Sequence, residues 1–529
     1  MFEALPEKGV PGDQILAELR ELRAADLPTH GGRLFAYVYD PAVEGLDELA
    51  RAAHAISAQV NGLDPTAFPS LLAMENALVA AAAGLLGGGP GAVGSVTSGG
   101  TESLILAVKA ARDSRPELAT PRLVVPSTAH AAFAKAAHYL RVALDVVPVG
   151  ADLRADPAAM AAAIGPDTVL VAASAPSYAH GVVDPIPQLA ASAAEHGVRF
   201  HVDACFGGWV LPYLRRLGAD LPPFDLSVPG VTSISVDLHK YAYAPKGVSI
   251  LLHRDEESRL PQYFAYADWP GYTMVNPIIS STRSGGPIAA ALATLRSIGD
   301  TGYLELAGRT RDAVTELSAA VADTAGVRLF APPETSVVCL TSDAAEPAAG
   351  AADPASDEAD AASAEVGLAP ARADPASGRA DPASGRADPA SGRVDLFVLA
   401  DELAARGWHT QPQMAYGPMP PTIHLTVTAA VAATAAEFRP ALADAVAAAR
   451  KCGPIDLPAP LLEAAGSLTP EMVTPQLIAG LAEGLGLGTG DFSRMAAVNT
   501  LLNAAPPALR EALLTGFLSL LQRPGTATE

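Results

Sequence analysis

Residues 231–246, VTSISVDLHKYAYAPK, carry the densest reactive chemistry in this 529-residue chain. The first half alternates and is β-branched, as a buried strand should be, then breaks into Asp237-Leu238-His239-Lys240, followed by Tyr241, Tyr243 and Lys246. A lysine just past a buried strand can be desolvated, and its amine then becomes a nucleophile near neutral pH. A solvated loop lysine has the same local sequence, so Lys240 gains meaning only from its surroundings. A second stretch, Ser98-Gly99-Gly100-Thr101, ends a short strand and precedes a helix opening at Glu102. Glycines at such a turn let backbone N–H groups approach an anion, the helix N-terminus adds partial positive charge, and Ser98 and Thr101 add hydroxyl donors. An ordinary N-cap at Thr101 is the competing reading. Asp203 follows the strand 198–202 (VRFHV), and His130 stands at the start of the helical run 129–140.

The elements that must position these residues alternate. Strands are expected at 122–125, 144–149, 168–173, 198–202, 231–236 and 248–253, with helices at 129–140, 156–164 and 187–196 between them. That alternation implies an α/β fold with a mostly parallel, doubly wound sheet covered on both faces. Ligands of such sheets sit beyond the C-terminal strand ends, where Asp203 and Lys240 fall and which His130 closely follows. Residues 1–60 read as an N-terminal helical arm, with a helical pattern at 15–25 and LFAYVY (Tyr37, Tyr39) at 34–39. Residues 61–300 read as the large domain, opened by the turn-rich NGLDPTAFP and a buried helix at 68–86. Residues 301–343 and 394–455 read as a smaller C-terminal α/β domain with strands near 336–341 and 422–428, and 456–529 as a helical tail with amphipathic stretches at 475–485 and 509–521. Residues 344–393 split the smaller domain and end in three copies of ADPASGR, at 373–379, 380–386 and 387–393. Each copy holds Pro and Gly and no large apolar residue, so the seven-residue period is not a coiled coil; it reads as a disordered low-complexity loop produced by repeat slippage rather than as a binding segment.

Composition narrows the partners. With 35 basic against 57 acidic residues and a net charge of −22, neither nucleic acid nor an anionic membrane is expected as the main partner. A phosphorylated small molecule stays open, because local charge decides that. The three cysteines, Cys205, Cys339 and Cys452, form no metal-ligand spacing, and so few suit a reducing compartment. The N-terminus MFEALPEKGVPGDQ lacks a basic region before an apolar core, and the alanine-rich apolar runs are too short to cross a bilayer. A soluble cytoplasmic protein without a transmembrane anchor is expected.

Together, the turn at 98–101, His130, Asp203 and Lys240 occur in the order and spacing of a fold-type I pyridoxal-phosphate enzyme. In that chemistry Lys240 would form the Schiff base with the cofactor aldehyde, Asp203 would keep the pyridine nitrogen protonated so that the ring acts as an electron sink, the turn would hold the phosphate and His130 would stack on the ring. The strings VTSGGTES, STAHAAFAKAAHYL, SYAHGVVDPIP, HVDACFGGWVLPYL, FDLSVPGVTSISVDLHKYAYAPKGVSILL and NPIISSTRSGG resemble the sphingosine-1-phosphate lyases within the group II decarboxylase-like family, over about 30–340 and again after the insertion. The resemblance implies roles residue by residue. Lys240 matches the Schiff-base lysine, Asp203 the pyridine partner, His130 the stacking histidine and His239 a contact to the cofactor phosphate. Gly100 and Thr101, beside Ser98 and Gly99, match phosphate binders. Arg283 and its neighbours, Gly285 included, match a loop that reaches into the partner subunit's site, which implies an obligate homodimer. Lys246 and Tyr39 match the substrate-phosphate pocket, Cys205 a pocket-lining cysteine, and Asn61 to Asp64 a pocket loop; core packing is the other reading for Tyr39 and Cys205.

The implied reaction is retro-aldol cleavage of a phosphorylated long-chain amino alcohol, such as sphingosine 1-phosphate, to phosphoethanolamine and a fatty aldehyde. Its base is left open among Lys240, Tyr241 and Tyr243. A pyridoxal-phosphate decarboxylase of an α-amino acid would use the same Lys240, Asp203 and His130, and a non-catalytic binding protein is the third class. The chain departs from the family pattern at Asn61-Gly62-Leu63-Asp64, where the family reads Asn-Pro-Leu-His, at Ala242, where it reads glycine, and at Ser284, where it reads proline. An aspartate at position 64 would repel a phosphate and favour a cation or a neutral group.

Overall fold

The computed structural model describes residues 5–343, 393–457, 468–485 and 493–522. Residues 344–392, nearly all of the repeat-bearing insertion, lie outside them. Seven strands, β1 (Val93–Thr97), β2 (Arg122–Pro126), β3 (Ala143–Val147), β4 (Thr168–Ser174), β5 (Arg199–Asp203), β6 (Ser233–Asp237) and β7 (Ser249–His253), form one sheet in the order β1-β7-β6-β5-β4-β2-β3. Every residue of β4, β6 and β7 is buried, which is why these segments read as continuous apolar runs. Alternate side chains split between two cores: Leu123, Val125, Leu170 and Ala172 face one, Val124, Val171 and Ala173 the other.

The sheet is mixed rather than uniformly parallel, because β7 runs antiparallel to both β1 and β6. The connection 238–248 contains no helix, and a parallel return needs a dozen or more residues. The other six strands point one way, so Thr97, Asp203 and Asp237 end on the same edge.

The helices are α1 (Gly12–Leu22), α2 (Leu46–Ser57), α3 (Pro69–Leu85), α4 (Gly100–Asp113), α5 (Ala132–Leu140), α6 (Pro157–Ala162), α7 (Ile186–Glu195), α8 (Leu211–Arg216), α9 (Glu256–Arg259) and α10 (Gly285–Ala322). A three-residue hairpin, β8 (Phe264–Tyr266) with β9 (Met274–Asn276), precedes α10 and is not legible in the sequence. Helix α10 kinks at Gly299, where φ is 64°. Ahead of the kink Ile288, Ala291 and Leu295 join the core of the large sheet; beyond it Val314, Leu317 and Val321 join a second core. That second core belongs to the smaller C-terminal domain, whose sheet β10 (Val327–Leu329), β11 (Val337–Ser342), β12 (Gln411–Gln413) and β13 (Thr422–Thr426) is antiparallel in the order β10-β11-β13-β12 and is covered by α11 (Leu396–Ala404) and α12 (Ala435–Cys452). Phe35, from the LFAYVY stretch, is fully buried here and stacks on Trp408, so the arm feeds the smaller core before reaching the large one. Tail helices follow at Pro475–Gly484, Ala496–Ala504 and Pro507–Leu521, docked where both Asp401 carboxylate oxygens accept the amides of Met495 and Ala496. Among the described residues, no helix is long and apolar enough to cross a membrane.

Candidate active site

The C-terminal strand edge brings most of the expected residues together. Lys240 lies in the turn after β6, and its Nζ is 3.0 Å from Asp237 Oδ2 and 5.8 Å from the centre of the Phe206 ring. Burial alone would depress this ammonium, but the Asp237 carboxylate, with Cys205 and Asp203 close by, outweighs it and raises Lys240 above its ordinary value. The expected lowering is therefore reversed. The gross attraction at 3.0 Å is about 5 kcal/mol at an effective dielectric of about 20, before the desolvation that opposes it. Asp237 is 2% exposed and held below the usual carboxylate range: burial opposes ionisation, and Lys240 and then His239 overcome it.

Asp203 closes β5. One carboxylate oxygen accepts the Cys205 amide at 3.1 Å, and the other takes no hydrogen bond from the described residues. His239 Nδ1 is 2.9 Å from the Val248 carbonyl and so carries the proton, which leaves Nε2 toward Asp237 Oδ2 at 3.6 Å; burial lowers this histidine. His130 precedes α5 rather than lying in it. Its Nδ1 accepts the Ala132 amide at 3.1 Å, which places the proton of the neutral ring on Nε2, and its ring meets Tyr178 edge-on at 6.4 Å.

The glycine turn starts α4 at Gly100, two residues earlier than its sequence suggests, and no side chain caps the helix. The Ser98 amide is already taken, by Glu102 Oε2 at 2.6 Å, which leaves the amides at the start of α4 and the exposed hydroxyls of Ser98 and Thr101 facing outward. Glu102 Oε1 accepts the Ile279 amide at 2.8 Å, so this buried carboxylate ties the turn to the loop before α10. A Cβ on Gly100 would stand 2.9 Å from Asp237 Oδ2 and from Cys205 Sγ, so any larger residue there would push the carboxylate or the thiol aside. Cys205 is buried behind that glycine, its Sγ 3.1 Å from Ser235 Oγ, and its thiol is pushed well up by burial and then by Asp203 and Asp237; it packs beneath the turn.

Tyr39 and Lys246 meet beside the cluster. Lys246 Nζ is 5.1 Å from the Tyr39 ring centre, and Tyr39 packs edge-on against Tyr241 and Phe206. Although Lys246 opens to solvent, partial desolvation and then repulsion from Lys240 push it down to about 8. Tyr241 is 1% exposed and donates its hydroxyl to the carbonyls of Val427 at 2.9 Å and Ser336 at 3.2 Å, joining the two domains. Tyr243 is buried at φ 58° with its hydroxyl accepting the Ala429 amide at 3.4 Å; burial pushes it up to about 12.

Asn61, Asp64, Arg283 and Gly285 form a second group. Arg283 makes a two-pronged ion pair with Glu75, at 2.5 and 2.8 Å, and also reaches the Gly62 carbonyl. Asp64 is fully exposed and accepts the Thr66 hydroxyl at 2.6 Å and amide at 2.8 Å, which hold it below the usual range. Asn61 Oδ1 accepts the Leu63 amide, and the Gly285 amide bonds the Val60 carbonyl. Asp64, Glu75 and Arg283 line a cavity of about 640 Å³ that includes none of Lys240, Asp203 or His239. Sequence reasoning named Asp237 without a role and missed Glu102, Glu75, Phe206 and Tyr178; only Asp237, three residues before Lys240, had a local signal.

The site has what a ring-shaped, phosphorylated aldehyde would need: a lysine amine, a buried carboxylate with a free oxygen, and an uncapped helix N-terminus approached by glycine. The fold and this edge define a fold-type I pyridoxal-phosphate enzyme. The family of the pyridoxal-dependent decarboxylase conserved domain matches residues 3–341, and the chain belongs to it; its cofactor is pyridoxal phosphate. Residues 459–520 match a model for the C-terminal HTH domain of pyridoxal-dependent enzymes. The sphingosine-1-phosphate lyase of Arabidopsis thaliana is 38% identical over 355 residues, 65% of each chain, and sphingosine-1-phosphate lyase 1 of Rattus norvegicus is 38% identical over 344 residues, 64% of this chain and 60% of the rat protein. The chain thus spans under two thirds of those relatives' length. The solved structure of the sphingosine-1-phosphate lyase of Burkholderia pseudomallei K96243 superposes with a TM-score of 0.73 at 30% identity, covering 92% of this chain and 97% of the other.

Proposed function

We propose that this chain is a pyridoxal-phosphate-dependent aldehyde lyase that cleaves a phosphorylated long-chain amino alcohol of the sphingosine 1-phosphate type to phosphoethanolamine and a fatty aldehyde. The observation that carries it is the second lysine: Lys246 lies 5.1 Å from the Tyr39 ring, beyond the lysine that would take the cofactor, where a phosphate on the substrate itself needs a cation. An α-amino acid losing carbon dioxide has no such group. When bound, pyridoxal phosphate supplies the electron sink for the pair left by the broken Cα–Cβ bond. Lys240 would hold the cofactor covalently, the second Asp203 oxygen would face its pyridine nitrogen, the start of α4 with Ser98 and Thr101 would hold its phosphate, joined by His239 once its Nε2 takes up a proton, and His130 would cover the ring. With the Tyr241 hydroxyl spent on two carbonyls and Tyr243 enclosed, Lys240 is the group left to take the substrate hydroxyl proton once its amine is free.

Incubation of the purified holoenzyme with sphingosine 1-phosphate and, separately, with a panel of amino acids tests this. Equal amounts of fatty aldehyde and phosphoethanolamine are expected; carbon dioxide release without aldehyde contradicts the reading.

The chain acts as a cytoplasmic homodimer in this account. Helix α1 supports the dimer: none of its residues is buried, and Ile15, Leu16, Leu19 and Leu22 are exposed, an apolar face that a second copy would cover. The Arg283–Gly285 loop would complete the partner's site through its backbone, since the guanidinium is held by Glu75. Mixing inactive Lys240→Ala chains with inactive loop variants should restore part of the activity in mixed dimers; a fully active monomer in sedimentation would contradict it.

A further inference from the structure

Asp237 has no role in the assignments above, yet it is the charged centre of the cluster. Its Oδ2 lies 3.0 Å from Lys240 Nζ and 3.6 Å from His239 Nε2, while Oδ1 is buried with no hydrogen-bond partner among the described residues, the nearby Ser249 hydroxyl donating to the Val236 carbonyl instead. Both oxygens stand within 3.0 Å of where a Cβ on Gly100 would be, so the carboxylate sits directly behind the first residue of α4.

The geometry points to Asp237 as a latch on cofactor loading: it holds Lys240 as an ammonium beside the glycine turn, and this ion pair must part before the lysine can bond to the cofactor aldehyde. The inference rests on the reading of Lys240 as the attachment residue. An ammonium has no lone pair. Condensation of an amine with an aldehyde forms one C=N bond and releases one water, and the proton that Lys240 carries must first leave to solvent, so no oxidant or reductant is involved. The groups facing Lys240 are Asp237 and His239 from its own turn, Asp203 and Cys205 from the end of β5, Lys246 from the loop before β7 and Tyr178 from the loop after β4. Of these carboxylates only Asp237 is in ion-pair contact, and it opposes both deprotonation of the lysine and the approach of a phosphate to the amide end of α4. Asp237 is thus a positioning residue whose charge sets the pH at which the chain takes up its cofactor.

The test is the rate at which the visible absorbance band of bound cofactor rises when apo-protein is mixed with excess pyridoxal phosphate between pH 7 and pH 10. The wild-type rate should climb about tenfold per pH unit through the whole range without a plateau, as the free-amine fraction does below a raised pKa. In Asp237→Asn the climb should level off before pH 10, where the wild type still rises, and the rate at pH 7 should be about tenfold faster. A wild-type plateau at or below pH 8, which needs no variant to detect, would overturn the latch. So would an Asn variant whose profile is unchanged or slowed at every pH. A Lys240→Ala chain that still develops the band refutes the attachment reading instead; one that loses it while Asp237→Asn behaves as wild type refutes the latch alone.

Discussion

The Lys240 cluster and the Arg283–Asp64 group differ in how their polar atoms are satisfied. At the strand edge, polar groups are left with unused valence among the described residues: the buried Asp237 Oδ1 has no hydrogen-bond partner, only one Asp203 oxygen accepts a hydrogen bond, and α4 has no side-chain cap. In the second group each side chain is already used by its own chain, Arg283 by Glu75, Asp64 by Thr66 and Asn61 by Leu63. Buried polar atoms without partners are costly, and they persist where a ligand will pair them. A motif match counts both groups as site residues; the hydrogen-bond pattern separates a place waiting for a ligand from a scaffold that is complete.

Breaking the scaffold should therefore cost stability. Arg283→Gln leaves the Glu75 carboxylate 9% exposed and unpaired, and unfolding of the variant should be easier by about 3 kcal/mol, while cofactor affinity per folded chain stays near wild type. A variant of wild-type stability that binds no cofactor would put Arg283 in the first region instead. Filling the cradle should do the reverse. Gly100→Ala sets a methyl 2.9 Å from Asp237 Oδ2 and Cys205 Sγ, and overpacking of about 1.5–3 kcal/mol should weaken cofactor binding roughly tenfold to hundredfold in an equilibrium titration.

Lys246 sharpens the contrast through substrate alone. Lys246→Gln should raise KM by about tenfold, near 1.5 kcal/mol for a lost charge-assisted contact, with kcat nearly unchanged. Its ammonium is lowered to about 8, so the charge is present below that pH and lost above it, and the wild-type KM should climb as pH rises through about 8. A KM flat across that window would remove Lys246 from the phosphate pocket. The smallest effect belongs to Tyr241→Phe, which takes the hydroxyl from the Val427 carbonyl while the Ser336 carbonyl keeps the Val427 amide at 2.9 Å, and should cost about 1 kcal/mol in urea unfolding. Its kcat should hold; a collapse would make Tyr241 the base.

Much of this was legible in the chain. β4 and β6 are wholly buried, so their apolar runs announce them, and Asp203 and Lys240 follow from strand ends. Strand direction was not legible, because side-chain periodicity is the same either way, and β7 turned out antiparallel. β8, β9, β10 and β12 are three residues each, too short to show a period. Glu102 and Glu75 were missed because their partners, Ile279 and Arg283, lie 177 and 208 residues away. The reversed expectation for Lys240 has the same origin. The sequence places it after a buried strand, which argues for desolvation, but only the fold shows that Asp237, the last residue of that strand, brings a carboxylate to 3.0 Å.

Everything proposed for the strand edge depends on Lys240 as the residue that carries the cofactor. Reduction of the holoenzyme with borohydride, digestion and mass spectrometry test it most directly. One pyridoxyl-phosphate adduct per chain is expected, on the peptide that contains Lys240 and on that lysine; an adduct confined to Lys246 or another lysine, or none at all, would rule Lys240 out as the attachment residue.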